Sequence, residues 1–168
     1  PRYNQTIFLD KDGVLNKVII RNRKLSSPQR QSEIKIIAPS CLNSLLKKKK
    51  FNLVIVSNQP DLSRGIINEE FLKQNVERIR KFYPINLAFF CPHLAKDACK
   101  CRKPKSKIIK DFRKKYPYAI KKEYFIGDTD KDYYCAKLLK IKFYLVIHRF
   151  NKHFLNIKAS KIYLKNLI

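Results

Sequence analysis

The run FNLVIVSN, Phe51–Asn58, limits the fold of this chain more than any other stretch. Its centre is continuously apolar and rich in β-branched side chains. So short a segment with no polar face suits a strand buried on both sides of a parallel sheet. Other segments repeat the pattern: TIFLD (Thr6–Asp10), INLAFF (Ile85–Phe90), EYFIGD (Glu123–Asp128) and KFYLVI (Lys142–Ile147). KIYLKNLI (161–168) reads as a strand running into the start of a helix. Helical spacing lies between the strands. PSCLNSLLKKKK (Pro39–Lys50) places Leu42, Leu45 and Leu46 on one side. Asn68 caps a segment with Glu69 and Glu70 in its first turn and Phe71, Leu72, Val76 and Ile79 on one face. SKIIKDFRKKY (106–116), with Ser106 as its cap, and KDYYCAKLLK (131–140) are two more helices. Residues 16–38 read as an irregular excursion. The alternation predicts an α/β fold, a three-layer α/β/α sandwich on a mostly parallel central sheet. No internal repeat or linker divides the chain, so residues 1–168 are expected to form one domain, with a metal-binding loop at 91–101.

In such sheets the ligand lies beyond the carboxyl ends of the strands. Those ends carry Asp10 and Asp12, Ser57 and Asn58, the segment from Cys91 onward, and Gly127 with Asp128. Asp10 and Asp12 are two residues apart in extended geometry, so both carboxylates leave on the same side, and Gly13 lets the backbone turn away. Paired carboxylates divide labour between a nucleophile and a general acid/base. With Asp128 they make three like charges, which require an oxygen-loving cation such as Mg²⁺. Taken alone, DKDG fits a solvated Asp-rich turn equally well. Ser57 and Asn58 offer a hydroxyl and an amide to phosphate oxygens, and Arg102 or Lys103 supplies positive charge for a transferring phosphoryl group.

The segment CPHLAKDACKCRKPK puts Cys91, His93, Cys99 and Cys101 within eleven residues. Three thiolates and an imidazole complete a tetrahedral zinc site with no open position, so its role is structural; a redox thiol cluster is the alternative. The count of five cysteines and their clustering argue against a secreted disulfide framework and for a reducing cytoplasm. Cys41 and Cys135 fall inside helical patterns as small core residues. His148 and His153 read as surface histidines and not as ligands.

Lys and Arg number 38 against 13 acids, a formal charge of +25. The basic residues are dispersed, with Lys47–Lys50 as the one run, and Lys, Ile, Asn, Tyr and Phe are abundant beside only 3 Gly. Compositional drift accounts for that pattern better than a nucleic-acid surface does, and in either case the field attracts anions. No apolar stretch is long enough for a membrane span.

FLDKDGVLN, VIVSNQPDLSRG, CRKPK and FIGDTDKD resemble, in this order, the four motifs of the haloacid dehalogenase (HAD) superfamily. Together with CPH…CKCRKPK they are similar to its zinc-containing, cap-less subgroup of heptose bisphosphate and histidinol-phosphate phosphatases. The resemblance runs from about Thr6 to the C-terminus, and the intervals between motifs leave no room for a large cap domain. It implies a Mg²⁺-dependent phosphomonoester hydrolase in which Asp10 forms an aspartyl phosphate and Asp12 is the general acid/base. It further implies that Asp10, the Asp12 carbonyl and Asp128 hold Mg²⁺, with Asp132 behind them in preference to Asp130. Ser57 and Lys103 grip the phosphoryl, while Asn58, Arg64 and Arg102 reach the phosphate or the substrate body. SNQPDLSRG favours D-glycero-D-manno-heptose 1,7-bisphosphate 7-phosphatase, in lipopolysaccharide precursor biosynthesis, over a histidinol-phosphate phosphatase. A nucleic-acid 3′-phosphatase is the alternative of another class. The expected partner is a small phosphorylated metabolite, acted on by a cytoplasmic monomer.

Overall fold

The computed structural model describes residues 1–38 and 50–164. Its strands are β1 (Gln5–Leu9), β2 (Ile19–Arg21), β3 (Lys24–Ser26), β4 (Asn52–Asn58), β5 (Ile85–Cys91), β6 (Lys122–Gly127), β7 (Lys142–Ile147) and β8 (Ser160–Tyr163). The helices are α1 (Glu69–Arg80), α2 (Lys107–Lys115) and α3 (Asp130–Leu138). Six strands form one sheet in the order β5-β4-β1-β6-β7-β8, and each neighbouring pair is parallel. The chain winds outward from β1 in both directions, so β1 marks the topological switch point where such sheets open a crevice.

Alternation along β1 and β4 feeds two cores. Ile7, Leu9, Leu53 and Ile55 enter one with Val76 and Ile79 of α1. Phe8, Val54 and Val56 enter the other with Ile109 and Phe112 of α2 and Cys135 and Ala136 of α3. Helices therefore cover both faces, which is the expected three-layer architecture. Phe8 meets Phe112 edge-to-face at 5.2 Å between centroids. Truncating a fully buried ring of this kind costs about 3–5 kcal/mol.

Asn68 caps α1 by accepting the Phe71 amide, as expected. Ser106 stands at the N-cap of α2, but its hydroxyl makes no capping bond there. Residues 16–38 are more ordered than their sequence suggests. β2 and β3 pair as an antiparallel hairpin through Asn22 and Arg23, both at positive φ, followed by a short helical turn at Gln31–Glu33. This is a flap and not a folded cap. The helix expected at 39–50, Cys41 within it, and the helix start at 165–168 fall outside the described residues, apart from Lys50. No described helix is long and apolar enough to cross a membrane.

Candidate active site

β1, β4, β6 and the loop after β5 converge on one cavity of about 280 Å³. Asp10, Asp12, Ser57, Asn58, Asp128 and Asp132 line it, as do Arg64, Arg102 and Lys103. Every carboxylate, hydroxyl and cation assigned to phosphate or Mg²⁺ from the sequence therefore borders the same space. Asp130 is not in that lining; its carboxylate accepts the amide of Lys131.

Asp10, Asp128 and Asp132 each offer a carboxylate oxygen, all within 4.8 Å of one another. Asp132 is held by a capping box at the start of α3, where Thr129 donates its amide and hydroxyl to Oδ2. Its Oδ1 lies 2.6 Å from the Lys103 Nζ, which is also 2.9 Å from Asp10 Oδ1. These contacts are buried ion pairs. Asn58 fixes this lysine through its backbone, accepting from the Lys103 amide and donating to its carbonyl. The Asn58 side chain is thus engaged in holding Lys103.

Burial raises the Asp10 carboxyl to about 6, with Asp132 and Asp12 adding to the rise and Lys103 opposing it. Burial, then Asp10 and Asp132, push Asp128 well above the ordinary carboxylate range. Asp12 behaves oppositely. Burial alone would raise it, but the Lys11 ammonium at 2.6 Å, with hydrogen bonds from Ser27 and Gln59, brings it below its usual value. Two carboxylates two residues apart are thereby tuned in opposite directions.

The backbone is shaped around these acids. Gly13, at φ +89°, lies so close to Asp128 that a Cβ there would stand 2.1 Å from Oδ2. A Cβ on Gly127 would stand 2.4 Å from the Asp132 Cβ. Both sites therefore require glycine for close approach.

Beside the cavity, Cys91 at the end of β5, His93, Cys99 and Cys101 converge. Their Sγ and Nδ1 atoms are 3.0–3.6 Å apart in the bonded pairs, and the thiols are free. Burial and the Cys101 thiol push Cys91 up to about 12. Burial would also raise Cys99, but the Arg102 amide and neighbouring thiols bring it to about 7. Four soft donors this close share negative charge only around a cation. Arg102 follows the cluster and donates to the His93 carbonyl. Cys135 is buried in the core as expected, its thiol directed at the Lys105 carbonyl.

Sequence reasoning missed four participants. Lys11 is fully buried against Asp12, and Gln59 bridges Asp12 Oδ2 and Ser57 Oγ at 2.9 and 3.1 Å. The hairpin contributes Leu25 and Ser26 to the cavity wall. His148 is the fourth and corrects an expectation. It is not a surface residue but is buried, with Nε2 3.0 Å from Asp128 Oδ2. Burial, with a smaller effect of His153, holds its imidazole below the ordinary value. His153 itself is exposed, as expected.

A profile of the polynucleotide kinase 3 phosphatase family matches residues 7–153. The chain belongs to this phosphatase family. The phosphatase is 30% identical over 145 residues to the D-glycero-alpha-D-manno-heptose-1,7-bisphosphate 7-phosphatase of Photorhabdus laumondii, covering 77% of this chain and 75% of that one. It is 28% identical over 97% of its length to the histidine biosynthesis bifunctional protein HisB of Baumannia cicadellinicola, but spans only 46% of that longer protein. Among solved structures, it resembles the D,D-heptose 1,7-bisphosphate phosphatase of B. bronchiseptica complexed with magnesium and phosphate. That likeness has a TM-score of 0.69 and 25% identity, over 84% of this chain and 80% of that one. The phosphatase thus has a HAD-type fold.

Proposed function

We propose that this phosphatase removes a phosphate from a D-glycero-D-manno-heptose 1,7-bisphosphate through an aspartyl phosphate on Asp10. The observation that carries the reading is a single cavity with acids at its floor and the cations Arg102 and Lys131 along its wall, beside Arg64, which is paired with Asp61 at 2.7 Å. The floor accommodates the phosphoryl group under attack. The cations suit a second anionic group on the same small molecule, which a 1,7-bisphosphate has and histidinol phosphate lacks. Both the Photorhabdus relative and the B. bronchiseptica structure carry heptose bisphosphate names.

The residues fit Mg²⁺. Three carboxylates converge, and Asp128 Oδ1 is buried with no hydrogen-bond partner among the described residues. Hard oxygen donors of this kind select Mg²⁺. Asp10, Asp128 and the Asp12 carbonyl would hold it, with Asp132 at the Lys103 side. When bound, Mg²⁺ supplies positive charge beside the phosphoryl oxygens. Asp10 attacks phosphorus in line, forming the Asp10–phosphorus bond as the bond to the leaving sugar oxygen breaks. Ser57 and Lys103 hold the equatorial oxygens. The phosphate dianion raises the proton affinity of Asp12, which gives its proton to the leaving oxygen. Asp12 then returns to the ionised form that Lys11 favours and takes a proton from the water that cleaves the aspartyl phosphate. Cys91, His93, Cys99 and Cys101 fit Zn²⁺ in a closed structural site, which fixes the direction of Arg102 and Lys103.

A second reading, histidinol-phosphate hydrolysis, is supported by the match to HisB over nearly the whole chain. A phosphate-release screen with Mg²⁺ separates the candidates: both heptose bisphosphate anomers, histidinol phosphate and 3′-phosphorylated DNA. The expected result is the highest kcat/KM on a heptose bisphosphate. Preference for histidinol phosphate overturns the sugar assignment, and full activity in Asp10→Asn overturns the nucleophile.

A further inference from the structure

After β7 the chain turns through His148, Arg149, Phe150 and Asn151 and closes on the end of β6. Asn151 is 1% exposed and donates to the carbonyls of Asp128 and Val146, at 2.8 and 2.7 Å, while its Oδ1 accepts the His148 amide. The Phe150 amide donates to His148 Nδ1 at 3.2 Å. An Nδ1 that accepts carries no proton, so the ring is the tautomer with hydrogen on Nε2. That hydrogen points at Asp128 Oδ2, 3.0 Å away. The Gly13 backbone runs beside the same carboxylate, so close that any Cβ there would meet Oδ2. Oδ1 has no hydrogen-bond partner among the described residues.

We propose that His148 is a positioning residue that occupies Asp128 Oδ2 and presents Oδ1 to the divalent cation as a one-oxygen ligand. The proposal rests on the reading of Asp128 as a Mg²⁺ ligand. The turn acts on Asp128 twice, through Asn151 on its carbonyl and His148 on its carboxylate, so neither the backbone nor the side chain is left to rotate. Without the imidazole hydrogen bond, the carboxylate can turn or spread over both oxygens. Each of these weakens the cation site while leaving the sheet intact. Hydrogen-bond partners that orient a metal-binding carboxylate typically control affinity by about 10–100-fold.

The test uses the full chain with Mn²⁺ as the probe, its binding followed by electron paramagnetic resonance, with zinc content and urea unfolding recorded alongside. His148→Leu is expected to bind Mn²⁺ about tenfold more weakly or worse, with zinc content unchanged. His148→Gln, which returns an N–H near the Nε2 position, is expected to recover most of the loss. Asp128→Asn is expected to lose the site. If Asp128→Asn binds Mn²⁺ like the unaltered chain, the ligand assignment of Asp128 fails. If Asp128→Asn loses Mn²⁺ while His148→Leu binds within about twofold of the unaltered chain, the positioning role alone is overturned. If His148→Leu does not fold, His148→Met, of similar reach and without a donor, is compared with His148→Gln by the same criterion.

Discussion

Replacing Lys103 with Met keeps the aliphatic stem and removes the one ammonium that lies between two acids of the cation site. Nζ stands 2.9 Å from Asp10 and 2.6 Å from Asp132, at 3% exposure. At an effective dielectric of about 20, each contact represents on the order of 6 kcal/mol of Coulomb attraction before desolvation is subtracted. Breaking a buried pair from one side typically leaves a net loss of about 3–5 kcal/mol, because the carboxylates remain buried without their partner. That loss depends on pH with a definite sign. Lys103 lowers the carboxyls of Asp10 and Asp128, so removing it raises both further. Asp10 already stands at about 6 with the lysine present. Below that pH it is protonated in both proteins, and the variant loses less. Above it the unaltered chain carries a compensated charge and the variant an uncompensated one. Urea unfolding in Mg²⁺-free buffer is therefore expected to show a deficit of about 3–5 kcal/mol at pH 8. The deficit should shrink at pH 5 by at least about 1.4 kcal/mol, equivalent to one unit on Asp10. With Mg²⁺ present, kcat should fall by about 10²–10³-fold. A deficit below about 1 kcal/mol, or one equal at both pH values, refutes the reasoning, because it places Lys103 outside the charge balance of the site.

Four further outcomes follow. Stripping zinc with a chelator should raise amide exchange across residues 91–105 and weaken phosphate binding about tenfold, while Mg²⁺ remains the ion required for turnover; unchanged exchange there contradicts a structural metal. Cation binding competes with protons on Asp10, which is raised to about 6, and on Asp128, which is raised as well. Mg²⁺ should accordingly raise the Tm clearly at pH 8 and little at pH 5, as scanning calorimetry would show. Gly13→Ala should cost more than the roughly 1–3 kcal/mol of left-handed backbone alone, since its Cβ meets Asp128. Gly65→Ala, also at positive φ but in open space, is the control and should stay within that range in thermal unfolding. Inorganic phosphate should bind measurably by calorimetry with Mg²⁺ and not without it.

The mostly parallel sheet and the position of the crevice were legible because apolar runs as unbroken as LVIV admit few alternatives, and because four of them end on polar residues that a parallel sheet must bring together. Asp10, Ser57 and Asp128 were placed there by that rule, and Lys103 by the resemblance of CRKPK. His148 obeyed the same rule, since it directly follows β7 at the same sheet edge, yet HRFNKHF carries local signals of a polar turn. Its partner Asp128 lies twenty residues away across α3, a pairing visible only once the sheet is assembled. Lys11 stands between two aspartates and reads as a solvated charge; burial beside Asp12 is decided by tertiary packing. The hairpin at 19–26 was hidden because its turn carries Asn22-Arg23 where Asn-Gly is the recognisable signal for two left-handed residues, and because three-residue strands show no period.

The charge of the chain and the charge of its site point in opposite directions, and that contrast explains the layout. The protein carries +25, a field that draws anions from every side without discriminating among them. Five aspartates line the cavity: Asp61 is paired with Arg64, and the other four, Asp10, Asp12, Asp128 and Asp132, face the two buried ammonium groups of Lys11 and Lys103. With all of them ionised, and His148 neutral by its tautomer, the site has two surplus negative charges. A phosphate dianion attracted by the surface would meet repulsion at the point where it must react. One divalent cation would cancel that surplus and leave Arg102 and the exposed Lys131 to act on the substrate, while Arg64 stays paired with Asp61. On the proposed reading, the long-range field supplies encounter, and the local balance would make productive binding conditional on the metal. Dispersed surface lysines suffice for the first role. The second requires the spacing that Gly13, Asn58, the Thr129 capping box and the His148 turn impose on four carboxylates.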